Sequence, residues 1–184
     1  GADLGVIFDT DVDRAGCVDA HGEEINRNRL IALASAIALE GHAGGTIVTD
    51  SVTSDGVHEF IESTLGGRHH RFRRGYKNVI NEAQRLCAEG IDCPLAIETS
   101  GHAALRENFF LDDGAYLMTR IIIKMAVLRR QGRALEDLIS GLNTPAEEAE
   151  ARLSLSGDDF ASYGQRIIDD LADFAQRYAG LTLA

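Results

Sequence analysis

Positive charge is scarce in this chain. Its 184 residues carry 18 Lys and Arg against 29 Asp and Glu, a formal net charge of -11. That balance argues against binding to bare phosphate backbones or an anionic membrane surface, so nucleic acid is not the expected partner. Long apolar runs are also missing. The longest, Leu30 to Leu39, contains Ser35 and falls well short of the roughly 18 apolar residues of a membrane span. No basic segment leads into an apolar core near Gly1-Ala2-Asp3-Leu4-Gly5, so no secretion signal is expected. Cysteine is limited to Cys17, Cys87 and Cys93, an odd number with no C-x-x-C pair. This is read as a set of buried thiols in a cytoplasmic protein. An initiator Met is absent and the chain runs almost at once into a strand-like segment, which points to an excised or processed piece.

What remains is an ordinary folded composition, 45% hydrophobic and 26% charged, enough to bury a core. Apolar runs at Leu4 to Phe8 and Gly16 to Val18 predict two strands joined by an acidic loop. Leu30, Leu33, Ala34, Ile37 and Ala38 recur at helical spacing between Asn26 and Glu40, and Gly41 supplies the stop. The β-branched run Thr46 to Thr49 predicts a strand, followed by a helix capped by Ser54 or Asp55 and carrying Val57, Ile61 and Leu65. Tyr76 to Glu89 repeats the helical pattern, and Leu95 to Ile97 reads as a buried strand. The longest helix is expected from about Asp113 to Gln131, with the acidic pair Asp112-Asp113 at its positive end. After Thr144-Pro145, alternation over 151–156 suggests a strand, and a second long helix follows from Asp158-Asp159 with Phe160, Tyr163, Ile167, Leu171, Phe174 and Tyr178 on one stripe. Strands alternating with helices imply a layered α/β fold.

Three segments carry candidate chemistry. In Phe8-Asp9-Thr10-Asp11-Val12-Asp13-Arg14, three carboxylates at alternating positions follow an apolar strand. Brought together they repel one another, and hard oxygen ligands of this kind suit magnesium or calcium. An EF-hand is excluded by counting from Asp9, because Arg14 takes the sixth position, which needs glycine, and Ala20 the twelfth, which needs a bidentate glutamate. The second segment, Glu98-Thr99-Ser100-Gly101-His102, follows the run Leu95-Ala96-Ile97. It presents a carboxylate, a hydroxyl and an imidazole suited to sugar hydroxyls, or else forms an ordinary turn. The third, Arg68 to Lys77, concentrates basic groups ahead of a helix, either as an anion site or as a solvated basic loop. The paired His69-His70 are read as surface residues.

Two resemblances compete. Haloacid dehalogenase-like phosphatases begin with Asp-x-Asp-x-Thr or Val, which Asp9 and Asp11 match with Asp9 as nucleophile. Asp13 stands in the Thr/Val place, and Thr49, Lys77 and Asp112-Asp113 would fill that family's later motifs. Taken in order, however, the three segments resemble the phosphohexomutase superfamily, the phosphoglucomutases and phosphomannomutases. Asp9, Asp11, Asp13 and Arg14 match its magnesium loop, Gly75 and Lys77 its Gly-x-Lys loop, and Glu98, Ser100, Gly101 and His102 its sugar-recognition loop. The departures are Thr10 and Val12 in place of loop glycines and Ile97 in place of the glycine before Glu98.

This resemblance implies a layered α/β/α domain with a mixed, mainly parallel sheet flanked by helices and preceded by a strand pair bearing the metal loop. Residues 1–25 would end a second domain, 26–140 form a third, and 141–184 lead towards a fourth. The parent enzyme would interconvert hexose 1-phosphate and hexose 6-phosphate through an enzyme phosphoserine and a bisphosphorylated sugar. Mg2+ would be held by Asp9, Asp11 and Asp13. Arg14 and Lys77 would act on the phosphoryl group, and Tyr76, Glu98, Ser100, Gly101 and His102 would bind glucose or mannose phosphate. With Pro94 and Pro145 as the only prolines, the family's Ser-His-Asn-Pro-like nucleophile motif is not in this chain, so the fragment is expected to be inactive alone. A free-standing binding module is the non-catalytic alternative.

Overall fold

The computed structural model describes residues 1–147, 149, 154 and 159–178. Two compact units are present, Gly1–Pro145 and Ala146–Ala184. In the first, strands β1 (Gly5–Phe8), β2 (Ala15–Val18) and the two-residue β3 (Glu24–Ile25) form an antiparallel sheet in the order β1-β2-β3. Helix α1 (Arg27–Ala38) follows, and every residue from Leu30 to Ala38 is buried, as expected of a helix apolar on all sides. Strand β4 (Thr46–Asp50) is buried along its whole length. It leads into α2 (Asp55–Glu59), which Ser54 caps by accepting the Val57 amide, and a wider π-type turn over Phe60–Thr64 extends that helix. Next come β5 (Arg68–Phe72), α3 (Tyr76–Ala88), β6 (Leu95–Ile97), β7 (Ala103–Leu105) and α4 (Gly114–Arg130).

The second sheet runs β5-β4-β6-β7, with β4 parallel to both β5 and β6 and β7 antiparallel to β6. Successive side chains leave a strand on opposite faces, and two cores result. Ile47, Leu95, Ile97 and Leu105 pack with α1, Val57, Ile61, Leu117 and Ile121 on one side. Val48, Ala96 and Ala104 pack with Val79, Ala83 and Leu86 of α3 on the other. Because helices cover both faces and the strand order reverses at β4, the carboxyl ends of β4 and β6 border the crevice where open α/β sheets bind ligands. No helix among the described residues is long and apolar enough to cross a membrane.

Several expectations change. The basic stretch from Arg68 is not a loop: through Phe72 it is an edge strand whose register with β4 runs from Thr46↔Arg68 to Asp50↔Phe72. Backbone pairing overrides its polar composition. His69 is not a surface residue either. Its Nε2 lies 2.7 Å from Thr49 Oγ1 and its Nδ1 3.2 Å from His58 Nδ1. Cys17 and Cys93 are buried, whereas Cys87 is only half-buried, and burial pushes the first two thiols up to about 11 and about 12. In the second unit, helix α5 (Phe160–Gln176) is capped by Asp159, which accepts the Ser162 amide, and the Phe174 and Tyr178 rings lie 4.5 Å apart. The strand expected over 151–156 lies, Ser154 apart, outside the described residues, as does Asp158.

Burial, with the cationic Arg71 and the neighbouring His58 and His70 adding to it, pushes His69 down to about 3. A histidine depressed in the folded state binds its proton more readily when unfolded. Its contribution to stability is therefore complete above about pH 6.5 and is lost as pH falls through the acid range towards its folded value. Urea midpoints measured between pH 7 and pH 4 should fall for the parent chain and fall less steeply for His69→Gln.

Candidate active site

The acidic loop between β1 and β2 is held at both ends by its own residues. Arg14 donates from its backbone N–H to Asp9 Oδ1 (3.2 Å) and from Nε to Asp9 Oδ2 (2.6 Å). Against a desolvation cost, these bonds to Arg14 hold the Asp9 carboxyl below its ordinary range. Val12 turns the loop with φ of 65°, a strained value for a β-branched residue. Its carbonyl accepts the Gly114 N–H at 3.2 Å, and the Ala15 N–H donates to Gly101 O at 3.3 Å. The loop thus rests by backbone contact on the start of α4 and on the turn after β6. Arg14 and His102 also form a β-bridge.

Two glycines make this approach possible. A Cβ on Gly101, whose φ is +101°, would stand 2.8 Å from the Ala15 carbonyl oxygen, and one on Gly114 would stand 2.9 Å from the Arg14 carbonyl carbon.

The carboxylates of Asp9, Asp11 and Asp13 offer oxygens that all lie within 4.8 Å of one another. Opposite ligands on an octahedral Mg2+ stand about 4.2 Å apart, so small side-chain rotations bring the three to one ion. Asp13 Oδ1 is buried without a hydrogen-bond partner in the protein, the state expected of an oxygen reserved for a cation. The donor set therefore fits a hard divalent ion.

The turn Glu98–His102 stands beside it. Glu98 is buried; its Oε1 accepts the Gly75 N–H (2.6 Å) and its Oε2 the Ser100 hydroxyl (3.0 Å). Glu98 N–H donates to His102 O (2.9 Å) and Gly101 N–H to Glu98 O (3.0 Å), closing the turn. The His102 ring stacks on Tyr76 with centroids 4.7 Å apart and planes 15° apart. Lys77 Nζ lies 5.7 Å from the centre of the Tyr76 ring. The structure thus brings Tyr76, Lys77 and the loop Glu98–His102 together from α3 and β6, and joins them to the acidic loop through His102 and Gly101.

The acidic pair divides its work. Asp113 caps α4, accepting the Tyr116 N–H at 2.9 Å. Asp112 does not cap. It accepts from His102 Nδ1 at 2.8 Å, with Asp13 Oδ2 3.7 Å from the same nitrogen. Burial, with Asp13 nearby, raises the Asp112 carboxyl despite His102. Thr49 is buried and bonded to His69, and Asp113 is used as a cap. Neither is free for the role a phosphatase arrangement would require.

Asp50 was missed by sequence reasoning, and Asp112 was read only as a helix cap or a phosphatase acid, not as the partner of His102. For Asp50 a signal existed: three apolar strands here end in an acid, at Phe8-Asp9, Thr49-Asp50 and Ile97-Glu98. For Asp112 none did, because its partner is set by the turn that follows β7.

Comparison with known proteins fits this geometry. Residues 26–145 match the family described as phosphoglucomutase/phosphomannomutase, alpha/beta/alpha domain III. The chain is 32% identical over 139 residues to a phosphomannomutase/phosphoglucomutase of Pseudomonas syringae pv. tomato, covering 75% of this chain and 28% of that protein. It is 30% identical over 143 residues to a phosphoglucosamine mutase of Marinobacter nauticus, covering 77% and 30%. A crystal structure of a phosphoglucomutase/phosphomannomutase family protein from Burkholderia thailandensis superposes with a TM-score of 0.64 at 27% identity, covering 78% and 29%. The fold is that of a phosphohexomutase alpha/beta/alpha domain, and the chain belongs to the phosphoglucomutase/phosphomannomutase family. It spans 28% to 30% of the length of the two curated relatives just described.

Gly101→Ala should place a methyl against the Ala15 carbonyl in a backbone region unfavourable to L-residues. We expect a loss of about 2 kcal/mol or more in urea unfolding, against less than about 0.5 kcal/mol for a substitution at exposed Gly1.

Proposed function

We propose that this chain supplies the metal loop and the sugar-recognition domain of a phosphohexomutase that interconverts hexose 1-phosphate and hexose 6-phosphate through a phosphoserine and a bisphosphorylated sugar. Residues 1–25 would close its second domain, 26–140 form the third, and 141–184 lead towards the fourth. The observation that carries the reading is the direct backbone junction of the two loops, Ala15 N–H to Gly101 O and Arg14 to His102. It sets a cation-fitting carboxylate group beside a turn of hydrogen-bonding side chains.

In this reading Asp9, Asp11 and Asp13 would hold Mg2+, which when bound neutralises charge on the transferring phosphoryl group. Arg14, half-exposed, exchanges its internal bond with Asp9 for the phosphoryl oxygens, which a guanidinium grips in a planar fork. Ser100 and Glu98 bind hydroxyls of the sugar ring. Lys77 attracts the substrate phosphate as a point charge. Asp112 holds the His102 Nδ1 proton, which leaves Nε2 of that ring for the phosphosugar. The nucleophilic serine comes from a part of the parent enzyme outside this chain.

Titration of the chain with MgCl2 and then with glucose 1-phosphate or mannose 1-phosphate, followed by amide NMR, tests the reading. Magnesium should shift Asp9 to Arg14, and Asp11→Asn should weaken that response by about tenfold or more. Sugar phosphate should shift Tyr76, Lys77 and Glu98 to His102. Shifts confined to the acidic loop would count against a sugar-recognition role. No mutase turnover is expected from the chain alone; consumption of glucose 1-phosphate by the chain that Asp11→Ala abolishes would restore the phosphatase reading.

A further inference from the structure

Asp50, the last residue of β4, is fully buried. Its Oδ1 accepts the Thr53 hydroxyl at 2.8 Å and its Oδ2 the Thr99 hydroxyl at 2.6 Å. No ion pair reaches it among the described residues. A buried carboxyl group is tolerated only when its oxygens find donors, and here both donors come from loops at the crevice edge, one after β4 and one after β6. The shorter bond falls in the range of O–H···O⁻ contacts.

We propose that Asp50 is the positioning residue of the recognition loop, fixing through Thr99 which of its side chains face the crevice. Thr99 turns its hydroxyl into the protein, while the exposed Ser100 is left to pair with Glu98. Glu98 in turn holds the Gly75 N–H that precedes α3. Asp50 to Thr99 and Glu98 to Gly75 therefore stitch the loops following β4, β5 and β6 into one rim. Release of the Thr99 anchor would free rotation about the turn that carries Ser100, Gly101 and His102, and with it the contact of Gly101 to Ala15. The inference rests on the sugar-phosphate reading only for what the loop binds; the anchor itself is independent of it.

A matched pair of substitutions separates positioning from plain structural support. Thr99→Val and Thr53→Val each keep side-chain shape and each deprive one Asp50 oxygen of its donor, and Thr99→Ser restores the first. Both valine variants should lower the urea midpoint. Only Thr99→Val should speed hydrogen exchange at the Glu98, Gly101 and Ala15 amides, by about tenfold or more. It alone should raise the Kd for glucose 1-phosphate, also by about tenfold, with Thr99→Ser close to the parent in both. Should Thr99→Val not fold, Asp50→Asn is the second probe and should loosen the same three amides. Equal exchange at those amides in the two valine variants, or no recovery in Thr99→Ser, would overturn the proposal. If the parent chain gives no response to glucose 1-phosphate, the sugar-phosphate reading fails, and the exchange contrast alone decides the role of Asp50.

Discussion

The candidate site depends on backbone meeting backbone without side chains between. The acidic loop after β1 lies against the turn after β6 and against the first residue of α4, and it does so at Gly101 and Gly114, where a methyl group would stand 2.8 Å and 2.9 Å from the loop's own main chain. Packing at that distance admits no compromise, because main-chain atoms cannot rotate away as a side chain can. The Ala15–Gly101 and Gly114–Val12 hydrogen bonds satisfy groups that the close approach removes from water. The strained φ at Val12 is tolerated because those contacts hold the loop on both sides.

From that junction the electrostatics follow. Asp13 and Asp112 reach His102 from opposite elements, and each has one buried oxygen with no hydrogen-bond partner among the described residues. Like charges gathered in this way repel one another, and Asp9, Asp11 and Asp13 form a group whose geometry fits a divalent cation. The rim of the recognition turn is secured separately, by Asp50 below and Glu98 beside it. Of the acids at the ends of β1, β4 and β6, Asp9 pairs with Arg14, while Asp50 and Glu98 bond to neighbouring loops.

Much of this was legible from residues alone. The spacing of Asp9, Asp11 and Asp13 after a strand, the order of the three loops, and helices α1, α3 and α4 all follow from patterns that act within a few residues: periodic burial, capping and charge repulsion. Strand β5 was not legible, because Arg68-His69-His70-Arg71-Phe72 carries no strand signal. It becomes a strand only because β4 offers an edge and because Thr49 and Asp55 accept His69 and Arg71 as partners. Asp112 and Asp113 looked equivalent as caps; only the turn after β7 distinguishes the one that reaches His102.

The sequence by itself determined helices α1, α3 and α4, strands β1, β2, β4 and β6, an acidic loop, and a polar turn at a strand end, since each depends on neighbours in the chain. The tertiary structure decided that the two loops share one site, that Lys77 joins them through the stacked rings of Tyr76 and His102, and that Asp50 anchors the recognition turn across 49 residues. Those contacts arise where parallel strands bring their carboxyl ends to one edge, and such an edge is a property of sheet order that spacing along the chain does not encode.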